Sequence, residues 1–161
     1  MNTRNTNLQA LGLGAIAGMR AMAAPALLSH YLTNDPAGSL YDTKLRYLQR
    51  PMVATSLKFL AGAELIGDKL PMTGDRISAE QLIPRIISGA VVGATVAGAN
   101  EKPKLTGALL GMAGAIAASY AFFYLRKKLG QESGLPNIVL GLAEDAIMAS
   151  GGIAMLENAK E

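Results

Sequence analysis

Apolar and polar positions along this chain fall in long blocks, not in the short alternations of β-strands. Leu8 to Leu32 is a 25-residue apolar block whose one certain charge is Arg20. Asn34-Asp35-Pro36-Ala37-Gly38 closes it as a turn. Met52 to Leu70 is the second block, stopped by Pro71, and Leu82 to Ala99 is the third. Leu105 to Leu125 is the fourth and holds no charge; Ile138 to Leu156 is the fifth. Crossing the hydrocarbon core of a bilayer takes about 20 apolar residues, so the pattern predicts about five transmembrane helices. The expected fold is all-α, a single membrane domain over residues 1–161 with helices near 8–32, 52–70, 82–99, 105–125 and 138–156.

Between the blocks, local signals add detail. Tyr41, Leu45 and Leu48 share one helical face, with Lys44, Arg46 and Arg50 elsewhere, which suits an interfacial helix over residues 40–50 or a solvated basic loop. Ser78-Ala79-Glu80-Gln81 has the form of a capping box, and Pro84 soon after predicts a kink or a fresh start. Tyr120, Phe122, Phe123 and Tyr124 precede Arg126-Lys127-Lys128, the order a membrane–water boundary favours. A signal peptide cut after Ala21-Met22-Ala23 is disfavoured, because Arg20 would sit beside the cut and Pro25 just past it.

Composition narrows the class further. Half of the 161 residues are hydrophobic, 17% are charged and 18 are glycine. Glycine inside a water-soluble helix costs roughly 1 kcal/mol against alanine, whereas in membranes small residues let helix backbones approach closely. A soluble bundle would need a charged stripe on its surface helices, and Leu105 to Leu125 has none. The chain has no cysteine and one histidine, His30, so thiolate chemistry is excluded, and neither a metal site nor a cofactor is expected. A formal charge of +3 is too small and dispersed for nucleic acid. Lysine and arginine counts come out nearly equal on the two sides, so they do not set an orientation.

Glycines point to packing partners. Gly14/Gly18, Gly89/Gly93 and Gly107/Gly111 each form GxxxG, and the last two pairs continue with Ala97 and Ala115. The third and fourth helices, joined by the short polar link from Asn100, are therefore expected to pack tightly as an antiparallel hairpin. An interface with a second copy or another membrane protein is the other use of such faces.

Charges point to chemistry. The second block holds Lys58, Glu64, Asp68 and Lys69, and Glu64 and Asp68 lie one turn apart on one face. A charge near a helix centre costs about 2.5–3.5 kcal/mol, while each large apolar residue returns about 0.3–0.6. The seven such residues of this block do not balance its charges, so it needs partners on other helices. Arg20 is the expected partner and Glu144 a third member. Glu144 and Asp145 lie about 100° apart, so Asp145 is expected to face a neighbouring subunit or water. Intramembrane charges mark either an ion or polar-substrate path or an ion-pair network that fixes helix register. No nucleophile–base pair or phosphate-binding loop is visible, so enzymatic chemistry is not expected.

A faint internal similarity joins the two ends. GLGAIAGMRAMAAPALL from Gly12 is echoed by GALLGMAGAIAASYAFF from Gly107, and FLAGAELIGD from Phe59 by VLGLAEDAIM from Val139. With one helix between, the pairs would form a weak inverted repeat of helices one and two with helices four and five, an arrangement common in transporters.

Three stretches also carry a family likeness. GAIAGMRAMAAPAL from Gly14, AELIGDKLP from Ala63 and PRIISGAVVGA from Pro84 together resemble the bacterial family called domain of unknown function 4126. The resemblance implies a small multi-pass membrane protein with an arginine in the first span. It also implies a Glu-x-x-x-Asp-Lys-x-Pro ending to the second, matched by Glu64, Asp68, Lys69 and Pro71. It implies no activity. The expected function is a transporter or channel-like protein of a bacterial cytoplasmic membrane, with a polar cluster of Arg20, Glu64, Asp68, Lys69 and Glu144. The alternative is a non-transporting scaffold or accessory subunit.

Overall fold

The computed structural model of the chain describes residues 6–67, 78–133 and 137–157. They form six α-helices and two 3-10 turns. The helices are α1 (Thr6–Met19), α2 (Ala23–Asn34), α3 (Pro51–Gly67), α4 (Ala79–Ala99), α5 (Lys104–Ser133) and α6 (Asn137–Glu157).

The first apolar block departs from expectation: it folds back on itself instead of running through as one span. α1 ends at Met19 and α2 starts at Ala23, and the side chains of Ile16 and Leu27 both close over Gly152 of α6. In a continuous helix those two residues would be about 16 Å apart along the axis, at 1.5 Å per residue. α1 and α2 are therefore the arms of a helical hairpin with Arg20-Ala21-Met22 at its tip. Pro25 helps explain the reversal. Lacking an N–H, it cannot bond the carbonyl of Ala21, and proline is well tolerated in the first turn of the helix that follows.

The other helices run up and down around this hairpin. Glu64 meets Ala21 and Met22 while Lys58 meets His30, so α3 runs antiparallel to α2. Gly89 faces Gly111 and Gly93 faces Gly107, so α4 and α5 are antiparallel. Gly14 faces Gly111 and Gly18 faces Ala115, so α1 and α5 are parallel. The inverted repeat expected from the sequence is thereby corrected. The reversal at Arg20 adds a change of direction, and the similar stretches from Gly12 and Gly107 run the same way.

These contacts are close enough to require glycine. A Cβ on Gly93 would overlap the Gly107 carbonyl, and one on Gly107 would overlap that of Gly93. Against this face lies the core of Leu13, Ile16, Leu28, Leu32, Val92 and Val96.

Element boundaries shift elsewhere. Over residues 40–50 the backbone forms 3-10 turns, Gly38–Leu40 and Lys44–Gln49, in place of a regular helix. They are held by Ser29 Oγ donating to Leu48 O at 2.6 Å and by Gln49 bridging both backbone groups of Ala37. Helix α4 runs unbroken through Pro84, and Ser78 precedes it without a side-chain cap. Helix α5 continues past Leu125 to Ser133, because Arg126, Lys127, Lys128 and Leu129 are all good helix formers.

Two of the described helices are long and apolar enough to cross a membrane: Ala79–Ala99 and the Lys104–Gln131 part of α5. Five such spans are not found among the described residues. At 14 and 12 residues, α1 and α2 reach only about 21 and 18 Å.

Candidate functional site

The hairpin tip is buried halfway along the bundle, and each of the four remaining helices sends one side chain to it. From α3, Glu64 accepts from the backbone N–H of Ala21 and of Met22, both at 2.8 Å. In an uninterrupted helix those N–H groups would bond the carbonyls of Ala17 and Gly18. From α5, Ser119 Oγ donates to the Gly18 carbonyl at 3.0 Å. From α4, Ser88 Oγ donates to the Ala21 carbonyl, the one Pro25 leaves without a donor. From α6, Asp145 Oδ1 accepts from Arg20 Nε at 2.6 Å.

Side chains thus replace much of the backbone bonding that the reversal removes. Met22 is the N-cap of α2, so the Glu64 carboxylate sits at the positive end of that helix. Arg20 is 4% exposed, and its Nη1 also donates to the backbone carbonyl of Glu64 at 3.5 Å. An ion pair this deeply placed has both charges desolvated, and removing one partner costs about 3–5 kcal/mol.

Arg20 and Glu64 therefore meet, but not as a simple ion pair. The carboxylate engages the backbone of the tip, and the guanidinium finds its carboxylate on α6. That carboxylate belongs to Asp145, which corrects the expectation that Asp145 faces a neighbouring subunit or water. Glu144, expected as the third member, has its side chain outside the described residues, as do Asp68, Lys69 and Pro71. Gly14, Gly18, Gly89, Gly93, Gly107 and Gly111 all lie in the α1–α4–α5 contact beside the tip. His30 sits away from the tip, with Nδ1 3.0 Å from Lys58 Nζ.

Several site residues were missed in the sequence. Ser88 and Ser119 lie in apolar helices that also hold Thr95, Thr106, Tyr120 and Tyr124, so a hydroxyl alone did not single them out. Arg85 stands near the start of the third apolar block, yet it is 2% exposed and donates to Gln81 Oε1 at 3.3 Å. It lies one turn from Ser88 on the buried face of α4. On α5, Arg126 packs against Gly141, one turn from Asp145. No group of three or more His, Cys, Asp or Glu among the described residues could hold a metal ion.

Comparison with known proteins agrees with the likeness carried by the three sequence motifs. No curated protein and no solved structure matches the chain significantly. The family model described as Domain of unknown function (DUF4126) matches residues 8–158. With that match over nearly its whole length, the chain belongs to the DUF4126 family.

Proposed function

We propose that this is a multi-pass integral membrane protein of a bacterial cytoplasmic membrane, and that the hairpin tip is the polar site of a transporter or channel-like path. One observation carries this reading: a charged, non-helical turn is buried mid-bundle inside a molecule whose outside is apolar. Met52, Phe59, Ile66, Ile87, Leu105 and Leu109 are exposed, Met52 and Phe59 by 81% and 80%. Arg20, Arg85, Ser29, Thr95 and Ser119 are buried. Water does not favour that distribution; lipid does.

At membrane depth, irregular backbone is tolerated where protein buries it or where it lines a water-filled cavity, and interrupted helices are frequent at transport sites. The 3-10 turns supply a boundary anchor. Tyr41 and Tyr47 are exposed there, and the Arg46 and Arg50 guanidinium groups lie 5.4 and 4.7 Å from the centre of the Tyr47 ring. The hydrogen bond from Arg46, then the charges of Arg46 and Arg50, lower the Tyr47 hydroxyl pKa below its ordinary value. Such basic-aromatic groups suit headgroup level.

Flux of protons and small ions in proteoliposomes tests the reading. Glu64→Gln keeps the side chain's shape but removes the charge at the helix start, and should reduce flux about tenfold or more. Unchanged flux would remove the transport assignment. The second reading, a non-transporting scaffold or accessory subunit, draws on the glycine contacts and the extensive pairing at the tip. It expects a constant membrane partner on co-purification, and no flux from the wild-type protein.

A further inference from the structure

One atom of the tip site is left open. Asp145 gives Oδ1 to Arg20, while its Oδ2 is buried and has no hydrogen-bond partner among the described residues. The side chain as a whole is 15% exposed. Buried carboxylate oxygens are normally supplied with donors, so an open one in the middle of a charged site calls for an occupant. A proton on Oδ2 would cancel the negative charge that Oδ1 presents to Arg20 and so weaken that contact.

We propose that Asp145 is the proton-binding residue of this site and that its protonation and the release of the hairpin tip are one event. The inference rests on the transport reading. A proton from water adds to Oδ2, and Asp145 becomes neutral. Arg20 keeps its own proton, since a guanidinium does not deprotonate in proteins. The ionic hold of α6 on the tip is lost, and the return of the proton to water restores it.

The charges facing Asp145 dictate the coupling. Arg20 approaches from the hairpin, and Arg126 of α5 packs against Gly141, one turn away on Asp145's own helix. Both carry the charge opposite to that of a carboxylate. Proton uptake therefore goes with withdrawal of Arg20, and by reciprocity withdrawal of Arg20 promotes proton uptake. From α3 comes Glu64, bound to the tip backbone, and from α4 comes Arg85, bonded to Gln81. Glu144 neighbours Asp145 in sequence, and Asp68 follows Glu64 by four residues in sequence; both side chains are outside the described residues.

Amide hydrogen exchange of the tip reads this out independently of flux. In proteoliposomes, protection of the Ala21 and Met22 amides, corrected for intrinsic exchange rates, should fall about tenfold or more as pH is lowered. Asp145→Asn should show the low protection at every pH. Asp145→Glu should keep the pH response with a shifted midpoint. A pH-independent wild type overturns the proposal, as does Asp145→Asn with the wild-type response. If Asp145→Asn does not accumulate, the wild type and Asp145→Glu decide: loss of the pH response in either rejects the proton role. Flux that Glu64→Gln abolishes but pH does not alter would leave the polar path standing and remove Asp145 from it.

Discussion

Glu64 spends its charge on backbone, not on another side chain. Two N–H groups at 2.8 Å hold its carboxylate at the start of α2, and the hydroxyls of Ser88 and Ser119 answer the carbonyls of the same turn. Ser119→Ala leaves the buried Gly18 carbonyl without that donor, which should cost about 1–3 kcal/mol. Thermal unfolding in detergent would register it, and an unchanged midpoint would mean that the hydroxyl bond does not contribute. Arg20 and Glu64 could be found in the sequence because charges in apolar blocks demand partners. Their partners could not. Charge counting compares side chains, so it set Glu64 against Arg20 and overlooked freed backbone donors. That Asp145 faces the tip depends on the rotation of α6 about its axis, which sequence spacing leaves open.

At the scale of elements, apolar pattern located the helices but not the reversal within the first block. Two short helices facing each other have the same periodicity as one long helix, and Pro25 alone is compatible with either a kink or a turn. The glycine pairs were legible, since GxxxG on adjacent segments joined by a short link leaves few ways to pack. Their contacts make a paired prediction. Gly107→Ala forces its Cβ into the Gly93 carbonyl, and overpacking of this kind costs about 1–3 kcal/mol. Gly62→Ala in α3 meets nothing within 4 Å and should be neutral or slightly stabilising, by about 0.5–1 kcal/mol. Unfolding curves for the two variants would contradict the packing if both behaved alike.

For the whole molecule, the fold-back changes the parity of the chain. Five through-going helices would put Thr6 and Glu157 at opposite ends of the bundle; a hairpin followed by four helices brings them to the same end. The all-α class and the apolar exterior follow from composition, but parity hangs on three residues at the tip. It is also what the central claim stands on, because a folded-back first block frees the Ala21 and Met22 N–H groups that hold Glu64 beside Arg20 and Asp145. The chain contains no cysteine, so single cysteines can be introduced without removing others. The most direct test is membrane-impermeant thiol labelling, in oriented vesicles, of Asn7→Cys and Asn34→Cys, exposed positions at the outer ends of α1 and α2. Labelling of both from the same side is the predicted result; labelling from opposite sides would show that the first block crosses the membrane and that the hairpin does not form.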